Sequence, residues 1–214
     1  MPSAPPRSLP RGPHQLAREV VLASQRGRMI EAMVEAVAEN GYAATTVADV
    51  VAGAGVSRRT FYEHFSDKED CFLAAYDAGV DLLLGHVAHE VAAAQGLEWR
   101  ERIRRGVRAY LEVLAAEPAF ARTFLIEVFA AGPRALDRRS EVHGRFVDLL
   151  RTQVALARAD HPQLPDPPDA VFAAIVGGVN EVVSDWVRDG RGDRLPELEF
   201  TLTRIQLGLL GSAS

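Results

Sequence analysis

The segment TVADVVAGAGVSRRTFYEHFSDKED, residues 46–70, gathers two adjacent arginines (Arg58, Arg59), then Thr60, Tyr62, His64 and Lys68, the only lysine of the chain. Side chains of these types serve three chemistries. A phosphate-cradling loop needs closely spaced glycines behind a strand. Here G-x-G-x-x-G would require a glycine at Arg58, G-x-x-x-x-G-K-[ST] is absent, and no strand pattern precedes the glycines. A nucleophilic site needs a nucleophile, a base and an orienting acid converging in a cleft. Ser57, Tyr62, Glu63 and His64 instead line one short segment beside two protruding arginines. A nucleic-acid-reading surface needs guanidinium groups for base edges and further donors for phosphate oxygens, and the segment carries both.

Such a surface must be held by local structure, which the spacing predicts. Thr46, with Asp49 three residues on, reads as the capped start of a short helix with Val47, Val50 and Val51 on its apolar face, ending at Gly53-Ala54-Gly55. Ser57 caps a second, running to about Phe65, whose Phe61 and Phe65 face a core. Arg58, Arg59 and Tyr62 then share another face, which begins at the helix N-terminus where free amides attract anions. Two short helices about a tight turn form a helix-turn-helix, whose second helix lies in the major groove. On this reading the arginines suit guanine, Thr60 suits a base or a thymine methyl, and Tyr62 and His64 suit phosphates. Glu63 either pairs with Arg59 or accepts from cytosine. Ser66-Asp67-Lys68-Glu69 reads as a capping box, with the Ser66 hydroxyl on a free amide and Glu69 reaching back. It sets Lys68 in the first turn of the next helix as a phosphate clamp. A merely solvated helix is the bland alternative, and two caps, a turn and placed aromatics count against it.

The stretch ENGYAATTVADVVAGAGVSRRTFYEHFSDKEDCFLAAYD is very similar to the N-terminal DNA-binding domain of TetR-family (tetracycline-repressor-like) transcriptional regulators, over about residues 25–77. The resemblance implies a helix-turn-helix homodimer that binds a palindromic double-stranded DNA operator, usually as a repressor, and is released by a small ligand. It implies that Thr46 touches phosphate, that Arg58, Arg59 and Thr60 occupy base-reading positions, and that Tyr62, His64 and Lys68 grip the backbone; Ser57, the cap, is counted with them as a candidate DNA-binding residue. The position of Arg59 often holds Gly, Ala or Pro in this family. Arg59 therefore either adds a contact or pairs with Glu63.

Charge qualifies this reading. The net charge is −5, so any polyanion contact must come from a local patch. Arg7, Arg11, Arg18, Arg26 and Arg28 against Glu19 leave residues 1–30 at +4, while residues 31–66 are at −3. A Pro- and Arg-rich arm, residues 1–23, is therefore a candidate minor-groove contact, with a plain tail as the alternative. The arm has no apolar h-region, one cysteine excludes an internal disulfide, and no apolar run of about 18 residues suggests a membrane span. A cytoplasmic protein without cofactor or membrane partner is expected.

The chain reads as all-α: an N-terminal three-helix DNA-binding domain over 24–80 and a helical ligand-binding and dimerisation domain over 81–214. The expected ligand is small and largely apolar. Its candidate contacts are Trp99, Phe120, Phe124, Phe146 and Asn180. Gly177-Gly178 in an apolar helix over 169–189 and the stripe Leu198, Leu202, Ile205 and Leu209 in the last helix suggest a four-helix dimer interface. Val176, Gly177, Leu202, Ile205 and Leu209 are its candidate residues. Arg100, Arg104 and Arg108 form a stripe expected to be solvated. His86 and His89, three apart, find no third ligand nearby and nominate no metal site. A helical carrier or enzyme that keeps a vestigial helix-turn-helix is the competing reading.

Overall fold

The computed structural model describes residues 25–211, and among these there are nine α-helices and no strand. The arm, and a short helix expected at 14–23, lie outside the described residues. Helix α1 spans Gln25–Asn40 and stops at Gly41, whose φ of 78° is the left-handed value that glycine adopts without strain. Helices α2, Val47–Ala54, and α3, Arg58–His64, are the expected pair. Thr46 and Asp49 close a capping box, and Gly55 ends α2 at φ 61°. The other helices are α4, Lys68–Ala93; α5, Trp99–Ala116; α6, Pro118–Leu125; α7, Pro133–Asp160; α8, Asp169–Arg188; and α9, Glu199–Gly211. 3-10 turns occupy Glu127–Ala130 and Gly192–Leu198.

The start of α4 differs by one residue from the expected box. Asp67 is the cap and accepts the Asp70 amide at 2.8 Å, while the Asp70 carboxylate accepts from the Ser66 amide and hydroxyl. A carboxylate is the stronger acceptor beside free amides, so it displaces the serine. The expected boundary at 80/81 falls inside α4, which runs unbroken from the DNA-binding unit into the C-terminal helices. Rings carry the core across it: Tyr42 packs edge-on to Phe72 at 4.9 Å, Phe72 on Tyr76, Tyr76 on Phe124 at 5.5 Å, and Phe124 on Phe120. Such pairs add roughly 0.5–1.5 kcal/mol each beyond burial. Gly79 makes room for α6, since a Cβ there would lie 2.2 Å from the Phe120 ring.

Three further expectations are corrected. Helices α4 and α8 are both long and apolar enough, by length and composition, to cross a membrane, although only 28% of the apolar window of α8 is buried within the chain. Leu202 is 1% exposed and belongs to the core with Leu198, whereas Ile205 and Leu209 stay exposed. The arginine stripe of α5 is not simply solvated: Arg104 and Arg108 both bind Glu199 in the first turn of α9, at 2.6 and 2.8 Å, and so anchor that helix. Arg100 pairs with Glu98 and lies over Trp99.

Candidate nucleic-acid interface and ligand cleft

Helix α3 has seven residues, and its orientation is set by what it buries. Phe61 and Phe65 are 0% and 2% exposed, which turns Tyr62, 57% exposed, outward with Arg58, Arg59 and His64. The Ser57 hydroxyl accepts the Thr60 amide and meets the Thr60 hydroxyl, both at 3.0 Å, so these two residues first of all fix the helix start. Arg58 makes no ion pair among the described residues. Arg59 pairs with Glu63 at 3.0 Å. This pair is largely exposed, so its net worth is small and Arg59 can exchange it for an anion.

Two backbone-gripping residues have other occupations. Thr46 donates its amide and its hydroxyl to Asp49 at 2.8 and 2.7 Å, which leaves neither proton for a phosphate. Those bonds hold the Asp49 carboxyl below its usual range, keeping a negative charge at that end of α2. Lys68 turns inward. Its ammonium donates to the Tyr42 carbonyl at 2.8 Å and the Thr45 carbonyl at 2.9 Å, and stands 4.1 Å from the Tyr42 ring centre. Partial burial lowers its pKa. Lys68 thus ties the loop between α1 and α2 to α4. The basic residues are also fewer than the count suggests. Arg28 donates to the Ala54 carbonyl and Arg26 lies over Phe65, so both brace the helix-turn-helix, while Arg7, Arg11 and Arg18 lie outside the described residues.

A cleft opens among α5, α7 and α8, with Val87 of α4, Phe124 of α6 and Gln206 of α9 contributing to its wall. It encloses about 750 Å³ including its mouth. Ile103, Val107, Leu150 and Ile175 make it largely apolar; Tyr110, His143, Gln153, Asn180 and Gln206 are its polar lining. Of the expected contacts, Phe124, Phe146 and Asn180 line it. Trp99 does not: it packs with Ile103, Val154 and Phe172 in a separate core cluster. Phe120 does not either, because it fills the space over Gly79. Val176, expected at a dimer interface, lines the cleft instead. Gly177 and Gly178 have no atom of another element where a Cβ would point, so within one chain nothing packs against them.

The cleft and the reading surface are joined by residues not anticipated from sequence. Glu127, three residues beyond Phe124, is 8% exposed. Its carboxylate accepts the Tyr42 amide at 2.9 Å and pairs with Arg122 at 2.9 Å. A lone carboxylate in the otherwise apolar run FLIEVFAAG was the available signal. Cys71 is buried and its thiol is pushed up to about 12, chiefly by burial, which makes it inert as expected.

Residues 29–75 match the model of a family described as bacterial regulatory proteins, tetR family. Among curated proteins, the HTH-type transcriptional activator FasR of Mycolicibacterium smegmatis is 28% identical over 105 residues, 49% of this chain and 47% of that protein. The chain thus spans about half the length of that relative. The solved structure of the fatty acid degradation regulator FadR from Bacillus halodurans superposes with a TM-score of 0.77 at 21% identity, covering 95% of this chain and 98% of the other. FadR from Bacillus subtilis in complex with stearoyl-CoA gives 0.74 at 19% identity over 87% and 98%. At such identities the superpositions establish the fold.

The geometry separates holding residues from reading residues. Lys68→Met is expected to lower the melting temperature, because two buried carbonyls lose their donor. The slope of log DNA affinity against log salt should stay unchanged. A slope shallower by about one would show that Lys68 does neutralise a phosphate.

Proposed function

We propose that this chain, whose residues 29–75 match the tetR family of bacterial regulatory proteins, is a homodimeric repressor that binds a palindromic operator and lets go when a small, largely apolar ligand fills the cleft. The observation that carries the reading is the outward face of α3. An exposed Arg58, with no ion pair among the described residues, and an exposed Tyr62 stand on a helix whose other side is fixed by Phe61 and Phe65. Such a helix enters the major groove with its N-terminal residues at base edges. Arg58 is the principal base reader, Tyr62 and His64 hold phosphates, and Arg59 joins them when it leaves Glu63. Nothing in the cleft is arranged as a nucleophile with its base, so we read the protein as a regulator rather than an enzyme, acting in the cytoplasm. In a gel shift with its own upstream DNA, Arg58→Ala should weaken specific binding by about 1–3 kcal/mol. Specific affinity unchanged in both Arg58→Ala and Tyr62→Ala would favour the competing reading of a helical carrier with a vestigial helix-turn-helix.

Self-association rests on α8 and α9. Ala170, Ala173, Ala174 and Gly178, with the half-buried Gly177, give α8 a strip of small residues toward solvent, and Phe200, Ile205 and Leu209 leave α9 apolar there too. Small residues let a partner helix approach closely, and large exposed apolar groups gain by being covered. Two α8–α9 pairs would form a four-helix interface and set the two α3 helices about one DNA turn, 34–36 Å, apart. Ile205→Asp should convert dimer to monomer in sedimentation velocity while leaving the helical circular dichroism intact. A dimer that survives this change would move the interface elsewhere.

The relative solved with stearoyl-CoA makes long acyl chains the first ligands to try. We place the ligand's signal at Glu127. Phe124 lines the cleft, and Glu127, one helical turn later, holds the amide of Tyr42 in the DNA-binding unit. A ligand that shifts the end of α6 therefore pulls on the α1–α2 loop. The ligand needs only to prefer the arrangement that spaces the two α3 helices wrongly. Glu127→Gln keeps an acceptor for Tyr42 but loses the Arg122 charge pair. It should bind DNA and ligand nearly as before, while the ligand-induced loss of DNA affinity shrinks by roughly five-fold or more on the usual scale of such coupling. Full ligand response in this variant would place the signal on another route.

A further inference from the structure

One end of the cleft is polar in a way that its apolar walls do not explain. Helix α7 presents a row of arginines to α4, and the neighbours of Arg139 all find carboxylates: Arg134 binds Glu69, Arg138 binds Asp77 and Glu141, and Arg145 binds Asp81. Arg139 pairs with no carboxylate among the described residues. Its guanidinium donates one N–H to the Asn180 side-chain oxygen at 2.9 Å and lies 4.8 Å from the centre of the Phe129 ring, while its Nε is buried without a partner. One turn on, His143 lines the cleft with its Nε2 also buried and unpartnered. The Tyr76 hydroxyl, beneath the same helix, is a third such atom. A buried donor without an acceptor costs about 1–3 kcal/mol. A half-buried cation held only by neutral partners costs more. Of these groups His143 lines the cleft itself, and Arg139 reaches it through Asn180, so an anion at this end would meet a cation and an imidazole that no carboxylate among the described residues engages.

We propose that the cleft takes an amphiphilic carboxylate head first, with the carboxylate at the Arg139–His143–Asn180 end and the alkyl chain along Ile103, Val107, Leu150 and Ile175. The inference rests on the ligand reading above and narrows it to a free acid, because a coenzyme thioester offers no charge at that point and its large head group cannot enter the buried end. Burial and the charge of Arg139 push the His143 pKa down to about 4, so the imidazole is neutral in the empty cleft and has one N–H to donate. Burial of the Tyr110 phenol, which meets Asn180, raises its pKa and keeps it a neutral donor as well. The same guanidinium touches Phe129, two residues from Glu127. A carboxylate that draws Arg139 inward therefore acts on the turn that holds Tyr42.

The test is calorimetric titration of the intact protein with dodecanoate, dodecanol and dodecanoyl-CoA. Dodecanoate should bind roughly ten- to hundred-fold more tightly than the alcohol, the worth of a charged hydrogen-bonded pair. Arg139→Met should bring acid and alcohol to within a few-fold by weakening only the acid, and Arg139→Lys should restore part of the preference. Equal binding of acid and alcohol by the unaltered protein, or a preference that survives in Arg139→Met, overturns the head-first site. If the thioester binds most tightly and Arg139→Met leaves it unaffected, the cleft takes an acyl chain in the opposite direction, and the acyl-ligand reading stands without this site. If none of the three binds, the acyl-ligand reading fails together with this inference.

Discussion

A buried carboxylate ties the α1–α2 loop to the C-terminal helices. Glu127 reaches the backbone amide of Tyr42, 85 residues away in sequence, and is itself neutralised by Arg122. The carbonyl of Tyr42 is taken by Lys68 on α4. The α1–α2 loop is thus gripped from both sides, by the C-terminal helices through its N–H and by α4 through its C=O. The carboxylate of that pair is buried while the Arg122 guanidinium is nearly half exposed, so the contact that matters most for the loop is the one to the Tyr42 amide.

That constraint changes what the polar residues near the DNA surface are for. Thr46, Ser57, Arg26, Arg28 and Lys68 are all of types that suit phosphate, yet each is engaged with the protein. What remains for DNA is a narrow set on one side of α3, in a unit that carries net negative charge. Affinity for a polyanion must then depend on a few well-placed contacts rather than on net charge.

The cleft follows the same economy. Its walls are apolar, and nearly every charge around it is compensated by a neighbour. Arg139, which pairs with no carboxylate among the described residues, meets both the cleft wall, through Asn180, and the 127–130 turn, through Phe129. An uncompensated charge at that place makes ligand chemistry and the interdomain junction two aspects of one local arrangement.

The sequence by itself determined the local elements: the capped starts at Thr46 and Ser57, the glycine stops at Gly41 and Gly55, and the inward faces of Phe61 and Phe65. It also carried the resemblance to the TetR family and placed Arg58, Arg59 and Tyr62 on the outward face of α3. These depend on side chains within four residues of one another, where spacing alone dictates contact. Only the tertiary structure decided the partners of long, flexible or charged groups. Lys68 found carbonyls 23 and 26 residues away, Arg104 and Arg108 found Glu199, and Phe120 found Gly79. It likewise assigned Trp99 and Leu202 to core and Val176 to cleft, because helical periodicity defines a face but not what that face meets. A lysine or arginine has several rotatable bonds and strong demand for acceptors. Its role is set by whichever carbonyl or carboxylate the fold brings within reach, and that information lies in the packing of helices rather than in local spacing.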